Sequence, residues 1–202
     1  DIGSYDDLGK LIDQTNNKAS EIVVPIFPSV YKPQQEDELY YNEILASDIR
    51  PGDKVLVIGT GSGADAWVAW LKSQSVIYVV EINPLAVINA KTTARLADFQ
   101  IEAVVGDIQT VDLPADFQDF DFVLWNMPFL QEAKNPNDFR GENYHDGDDG
   151  TILENFMARL PELLKPDGQA ILLNLKGAAE YIDFPQVTTK MSPDTSREPF
   201  RS

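Results

Sequence analysis

Apolar runs alternate with amphipathic stretches through the middle of the chain. The predicted strands are residues 54–58, 76–82, 101–105, 120–125 and 169–175. The predicted helices are residues 35–46, 64–72, 84–97 and a stretch that begins at Thr151. Because strands and helices alternate at this spacing, we expect an α/β fold, a Rossmann-like, doubly wound, mainly parallel sheet with helices on both faces.

Prolines and polar segments interrupt this pattern elsewhere. Residues 22–27 are a short β-type run that two prolines break, and Pro161 should kink or split the last helix. The sequence KPDG at residues 165–168 predicts a turn. We expect a polar N-terminal segment over residues 1–21 and one domain over residues 22–202.

The composition is that of a globular protein without cysteine chemistry. Hydrophobic residues make up 43 % of the chain and there is no cysteine, so disulfides, thiolate metal sites and a cysteine nucleophile are excluded. No apolar run approaches the roughly 18 residues that span a bilayer, and the first residues do not form a secretory signal. We therefore expect a cytoplasmic protein that does not enter a membrane.

A glycine loop follows the first strand, in the stretch VLVIGTGSG. Gly59, Gly61 and Gly63 allow a ligand to approach the backbone, and the helix behind them presents free amides and a positive dipole end. Glu81 ends the next strand, 18 residues after Gly63, where a carboxylate can accept hydrogen bonds from both ribose hydroxyls of an adenosine. With Ala64 the loop also satisfies the dinucleotide fingerprint GxGxxA, so nicotinamide or flavin binding is an alternative at this point.

Two further strand ends carry polar groups. Asp107 follows the third strand, where its side chain can accept a hydrogen bond from an adenine amino group. Asn126 opens the sequence NMPF after the fourth strand, at the edge where open α/β sheets bind ligands. An asparagine oxygen and a main-chain carbonyl can accept the N–H bonds of a planar amine while an aromatic ring stacks on its face. Such contacts would direct the nitrogen lone pair towards an electrophilic methyl group.

Four segments together resemble a known family. VLVIGTGSGA, EINPLAVINAK, VVGDI and FDFVLWNMPF occur in the order typical of class I S-adenosylmethionine-dependent methyltransferases that carry an NPPY-type motif. The chain looks most similar to the small-domain group, which includes release-factor glutamine methyltransferases and rRNA amine methyltransferases. The resemblance covers residues 22–175 and implies S-adenosylmethionine as the cofactor and methylation of a planar amine or amide nitrogen.

The resemblance also implies which residues form the site. Glu81 would hold the ribose of the cofactor, Asp107 its adenine, and the glycine loop its methionine part. The implied cofactor-binding residues are Gly59, Thr60, Gly61, Gly63, Glu81, Ile82, Asp107, Ile108 and Asn126. The implied catalytic residues, which grip the methyl acceptor, are Asn126, Pro128 and Phe129. No residue is assigned to a metal.

The chain departs from the family at two positions. The family has an acid two residues before the first glycine, where it contacts the methionine end of the cofactor, and this chain has Val57. Cofactor binding should weaken unless Asp65 or an acid among residues 36–38 substitutes. Met127 stands where the family has proline. A catalytically degenerate cofactor-binding module is therefore one alternative function, and a nicotinamide-dependent oxidoreductase is another.

The charge favours one class of methyl acceptor. Thirty-three acids against sixteen bases give a formal net charge of −17, which repels a phosphate backbone at long range. Acids also interrupt the bases nearest the predicted acceptor edge, which are Lys32, Lys134, Arg140 and Lys176. We therefore expect a protein or a small molecule as the acceptor, with a nucleic acid as the open alternative.

The long polar loop after the fourth strand contains the single histidine. His145 is expected to be a solvated side chain rather than a general base. Asp146, Asp148 and Asp149 lack the spacing and the closing glutamate of an EF-hand, so a solvated loop is preferred to a calcium site.

Overall fold

Five parallel strands form one sheet at the centre of the fold. The computed structural model describes residues 22, 24–33, 37–127 and 151–173. The strands are β1 (Val55–Ile58), β2 (Ile77–Glu81), β3 (Ile101–Val105), β4 (Phe120–Asn126) and β5 (Leu164–Leu173). Among these residues the helices are α1 (Glu38–Ala46), α2 (Ala64–Ser73), α3 (Pro84–Leu96) and α4 (Thr151–Leu163). The strand order is β3-β2-β1-β4-β5.

Strand β1 lies at the centre of the sheet and has a parallel neighbour on each side. Val55 pairs with Ile77 of β2 and with Phe122 of β4. The chain therefore runs outward from β1 to β3 in one direction, and then crosses to β4 and β5 in the other. In such sheets ligands bind outside the carboxyl ends of the strands, where the order reverses. The predicted doubly wound fold is confirmed.

Both faces of the sheet are covered, which explains why β1 is apolar and buried at every position. Val55 and Val57 belong to a core cluster that the sheet forms with α1 and α2. Leu56 and Ile58 alternate with them into a second cluster, which the sheet forms with α4. The sheet thus separates two hydrophobic cores, and β1 contributes to both.

The residues predicted as a turn before the last strand lie inside β5. The ladder between β4 and β5 shifts register after Phe120, and residues 165–168 bulge there opposite Asp121. Lys165 donates to Asp121 across this bulge, with 2.6 Å between Nζ and Oδ1. Pro161 does not split α4, which continues past it.

The segment before α1 forms no strand at its described residues, so the β-type run predicted for residues 22–27 is wrong. Asn89 of α3 holds this segment instead. Its Oδ1 accepts a hydrogen bond from Phe27 N at 2.7 Å, and its Nδ2 donates to Pro25 O at 2.7 Å. Pro25 has no N–H to add to a strand ladder. Because Asn89 Nδ2 also donates to Ser62 O at 3.1 Å, the segment is tied to the glycine loop.

Part of the predicted chemistry lies outside the described ranges. The residues concerned are Pro128, Phe129, His145, Asp146, Asp148 and Asp149. The predicted boundary between residues 21 and 22 also stays a prediction. Within the described ranges, no helix is long and apolar enough to cross a membrane, and no three histidine or carboxylate side chains are grouped so as to hold a metal ion.

Gly63, the last residue before α2, should not tolerate a side chain. Its φ is 87°, and a Cβ atom there would lie 2.9 Å from Cα of Ala90 in α3. Gly63→Ala should lower the free energy of unfolding by about 1–2 kcal/mol for the left-handed backbone and by about 1–3 kcal/mol more for the clash. Chemical denaturation followed by circular dichroism measures this loss.

Gly52→Ala is the matched control. Gly52 has a φ of 100°, but a Cβ there would meet nothing within 4 Å. This variant should show the backbone cost alone. Equal losses in the two variants would contradict the close contact between the glycine loop and α3.

Candidate functional site

The glycine loop connects the end of β1 to the start of α2 along a left-handed backbone path. Gly59, Gly61 and Gly63 have φ values of 63°, 52° and 87°. A Cβ atom at Gly59 would lie 3.3 Å from Trp125 Nε1, and one at Gly61 would lie 3.5 Å from Tyr31 Cβ. Aromatic side chains therefore pack closely against the loop. The first turn of α2 follows at once, and helix N-termini favour negatively charged groups.

Glu81 joins this loop to the end of β2. Its Oε2 accepts a hydrogen bond from Gly61 N at 3.0 Å, and its Oε1 accepts one from Asn83 N at 2.9 Å. Burial raises the pKa of the Glu81 carboxyl group, and these amide bonds oppose that shift. A carboxylate has about four lone-pair sites, so Glu81 can still accept a bond from a ribose hydroxyl. Ile82, the next residue, is half exposed.

Asp107 lies just beyond the end of the neighbouring strand β3. Gly106 N donates to Glu81 O at 3.0 Å, which joins the two strand ends. Oδ1 of Asp107 accepts from Gln109 N at 2.9 Å, and Ile108 beside it is buried. The two carboxylates predicted to hold ribose and adenine therefore come from adjacent strand ends. Their contact with a cofactor stays a prediction, as does that of Ile82 and Ile108.

Asn126 ends β4 and is oriented by a carboxylate from the start of α1. Its Nδ2 donates to Asp37 Oδ1 at 2.7 Å, and Tyr31 donates its hydroxyl to Asp37 Oδ2 at 2.9 Å. Because an ionised carboxylate can only accept, this bond sets the amide orientation of Asn126 and directs its own Oδ1 elsewhere as an acceptor. Met127, at the family's proline position, is buried and donates its N–H to Leu173 O at 3.1 Å.

The link between Asp37 and Asn126 is absent from the predictions made from the sequence. The two residues are 89 positions apart, and no local pattern connects them. In the sequence, only the acidic residues 36–38 point to this region, because one of them could substitute for the acid missing at position 57. Val57 itself is fully buried in the core, so no polar group is available at that position.

Asp65 in the first turn of α2 is a buried carboxyl group, 6 % exposed. Its Oδ1 accepts hydrogen bonds from Thr60 Oγ1 and from Ala66 N, both at 2.9 Å. Burial raises the pKa of Asp65 to about 8 despite these two bonds, and the charges of Glu81 and Asp37 add to the rise. Without a ligand, this group is therefore mostly protonated at neutral pH.

Comparison with known proteins identifies relatives of the chain. The family model of the methyltransferase small domain matches residues 41–179. A protein of Methanocaldococcus jannaschii, provisionally named protein N5-glutamine methyltransferase, is 30 % identical over 80 % of this chain and 81 % of its own length. The human methyltransferase HEMK2 is 26 % identical over 74 % of this chain and 73 % of its own length.

A solved structure is similar to the described sheet and helices. The ribosomal protein L11 methylase of Lactobacillus delbrueckii subsp. bulgaricus superposes with a TM-score of 0.57 at 20 % identity, over 81 % of this chain and 72 % of that one. At this identity the likeness concerns the fold alone, and it agrees with the doubly wound sheet.

Asp65→Asn should stabilise the protein at neutral pH. An asparagine oxygen can accept both bonds that Oδ1 accepts, but the variant lacks a carboxyl group whose pKa is about 8 when folded against an ordinary value of 3.8. The folded parent keeps a proton that the unfolded chain loses, so its stability is greatest below about pH 4 and falls as the pH rises towards about 8. The thermal midpoint of the variant should therefore match the parent's at about pH 4 and exceed it at about pH 7.

Asp119→Asn serves as the control, because Asp119 is exposed and precedes β4 at the opposite end of the strand from Asn126. Its thermal midpoint should follow the parent's across the whole range. Melting profiles of the parent and of Asp65→Asn that stay parallel from acid to neutral pH would contradict the raised pKa.

Proposed function

Because the chain belongs to the methyltransferase small-domain family, we propose that it transfers the methyl group of S-adenosylmethionine to the side-chain amide nitrogen of a glutamine in another protein. The observation that carries this proposal is the position of Asn126 at the end of β4, with its amide oriented by Asp37. The name of the Methanocaldococcus jannaschii relative, which specifies protein glutamine, supports the choice of acceptor.

The residues around the glycine loop fit the proposed cofactor. Glu81 and Asp107 offer carboxylate oxygens at adjacent strand ends, as the ribose and the adenine of the cofactor require. The loop between them and α2 would hold the methionine part. S-adenosylmethionine, when bound, supplies a methyl group on a positively charged sulfur. The protein has to hold the methyl group and the acceptor nitrogen in line and to exclude competing water.

The acceptor would be held through its own N–H groups. Oδ1 of Asn126 can accept one N–H bond from a glutamine amide, which turns the nitrogen towards the methyl group and increases its electron density. With S-adenosylmethionine bound, the amide nitrogen would gain the methyl group and release one proton to solvent, and the sulfonium would leave as a neutral thioether. Pro128 and Phe129, which the sequence predicts as the rest of the acceptor clamp, lie outside the described residues.

The alternative functions have less support. The family match and the relatives' names speak for methyl transfer and give no support to a nicotinamide-dependent oxidoreductase. The defined orientation of the Asn126 amide favours an active enzyme, because a module that only binds the cofactor has no methyl acceptor to position. The net charge of −17 favours a protein acceptor over a nucleic acid. A cytoplasmic location stays a prediction.

Glu81→Gln should weaken the binding of S-adenosylmethionine. A hydrogen bond to a charged group contributes about 1.5–3 kcal/mol, so the dissociation constant should rise by about tenfold or more. Isothermal titration calorimetry with S-adenosylmethionine measures this, and a thermal melt checks the fold. Glu102→Gln, an exposed change on the neighbouring strand β3, should leave the affinity unchanged. Equal affinities for the two variants would contradict the assignment of Glu81.

Asn126→Ala should reduce methyl transfer by about 100-fold or more, because the acceptor loses the group that positions it. The dissociation constant of S-adenosylmethionine should change by less than about threefold, since Asn126 acts mainly on the acceptor. Transfer is followed with a labelled methyl group into a cell extract that is then separated into protein, RNA and small-molecule fractions. Mass spectrometry of the protein fraction locates the methylated glutamine.

Asn42→Ala, a change on α1 away from the strand ends, is the matched control and should keep full transfer. Label found in the RNA or small-molecule fraction instead of protein would contradict the protein acceptor. A folded Asn126 variant that loses most of its affinity for the cofactor would contradict the role of Asn126 in holding the acceptor.

A further inference from the structure

A second group of polar side chains is buried between α1 and the start of α2. Asp37 is 3 % exposed, Asp65 is 6 % exposed and Tyr40 is 1 % exposed. Tyr40 follows Asp37 by three residues at the start of α1, on the same side of the helix. It also shares a core cluster with Ala64 and Ala66, the residues on either side of Asp65. Burial raises the pKa of the Tyr40 hydroxyl well above its ordinary value, and the charges of Asp65 and Asp37 add to this shift. We refer to Asp37, Tyr40 and Asp65 as the acidic cluster.

The hydroxyl of Tyr40 has no hydrogen-bond partner within the described residues. Buried hydroxyl groups in folded proteins nearly always have a partner, and one without a partner costs free energy. This oxygen can both donate and accept. An unpartnered hydroxyl within this acidic cluster would be satisfied by a further polar group bound there in the functional state.

The carboxyl group of Asp65 indicates the charge of that further group. No cation acts on Asp65 within the described residues: its neighbours are the hydroxyl of Thr60, the amide of Ala66 and the acids Glu81 and Asp37. Both of its hydrogen bonds reach Oδ1, and Oδ2 makes none with a described residue. An asparagine could accept the same two bonds without the cost of a buried acid. The start of α2 favours a negative charge in general, and a cation bound beside Asp65 would offset the burial of that charge.

We propose that the acidic cluster binds the α-ammonium group of the cofactor's methionine part, and so replaces the acid that the family has at position 57, where this chain has Val57. This inference rests on the proposed use of S-adenosylmethionine. Oδ2 of Asp65 and the hydroxyl of Tyr40 accept two of the ammonium N–H bonds, and Asp37 supplies the second negative charge.

The position of Asp65 selects the ammonium group from the charged parts of the cofactor. Asp65 lies two residues after Gly63 and accepts a hydrogen bond from Thr60, so it belongs to the glycine loop that would hold the methionine part. A primary ammonium has three N–H donors, which suits a cluster of several acceptor oxygens. The sulfonium has no N–H to offer to the Tyr40 hydroxyl.

Binding of an ammonium group beside Asp65 should release a proton. Three other titratable groups face Asp65, and none of them carries a positive charge. They are Glu81 at the end of β2, Asp37 just before α1 and Tyr40 within α1. A bound cation favours the ionised carboxylate and lowers the pKa of Asp65 from about 8. Up to one proton should therefore leave per cofactor bound at about pH 7.

Calorimetric titrations in two buffers of different ionisation enthalpy test the proposal, because they give both the affinity and the number of protons released. The ligands are S-adenosylmethionine and 5′-methylthioadenosine, which has the adenosine and the sulfur but no ammonium group. With the parent protein, we expect proton release on binding of S-adenosylmethionine and none with 5′-methylthioadenosine.

Asp65→Asn should weaken S-adenosylmethionine binding by about tenfold or more and abolish the proton release. It should leave 5′-methylthioadenosine binding within about twofold of the parent, because the lost charge faces a group that this ligand lacks. Tyr40→Phe, which keeps the ring, should also weaken the binding of S-adenosylmethionine, by a smaller factor, and leave the binding of 5′-methylthioadenosine unchanged. Asp119→Asn, the exposed control, should match the parent with both ligands.

The outcomes separate this inference from the proposed function. If Asp65→Asn binds S-adenosylmethionine as tightly as the parent and with the same proton release, the ammonium site is elsewhere, while methyl transfer from this cofactor still stands. If Asp65→Asn weakens the binding of both ligands equally, the residue acts on the fold of the loop and the inference is overturned. If the parent binds neither ligand, the proposed function fails together with the inference.

Discussion

Burial of β1 on both faces is the constraint on which the site depends. A strand that is apolar at every position can offer a ligand only its carboxyl end. There the backbone turns directly into α2, and the left-handed conformations of Gly59, Gly61 and Gly63 make this turn possible. Glu81 then holds the loop in place by accepting from Gly61 N. Polar chemistry gathers at this edge because a polar group elsewhere in the layers would be buried without a partner.

The buried acids at this edge lower the stability of the ligand-free protein. Burial raises the pKa of Asp65 to about 8, and the charges of Glu81 and Asp37 add to that rise. Asp121, by contrast, is partly exposed and paired with the base Lys165 across the bulge of β5. Buried acids with raised pKa values are typical of functional sites, where a ligand supplies what the fold lacks. The cost to the fold is thus an argument for a ligand at this place.

Local patterns were enough to predict the sheet and the glycine loop. Strand β3 begins and ends at the predicted residues, and α2 and α3 end within one residue of their predicted bounds, because apolar runs, glycines and a helix-opening proline act over a few positions. The segment before α1 was not predictable in this way. Its conformation depends on Asn89, 62 residues after Phe27, and no local pattern shows that contact. The same holds for the pairing of Asp37 with Asn126. The predicted turn residues of β5 form a bulge, because Leu164 before them and Gln169 after them both pair with β4.

Asp37 connects the two halves of the proposed reaction. It accepts the amide of Asn126, which would face the methyl acceptor, and it belongs to the acidic cluster, which would hold the ammonium group of the cofactor. Oδ1 of Asp37 accepts from Asn126 and Oδ2 accepts from Tyr31, so both oxygens of this carboxyl group are engaged near the end of β4. The amide orientation that the acceptor would require is therefore set by a residue that also belongs to the proposed cofactor site. An acid at position 57 could not do this, because Val57 pairs with Leu124 inside the sheet, two residues before Asn126. In this proposal the acids from α1 and α2 would do more than restore a lost charge, because one of them also orients the amide that would face the methyl acceptor.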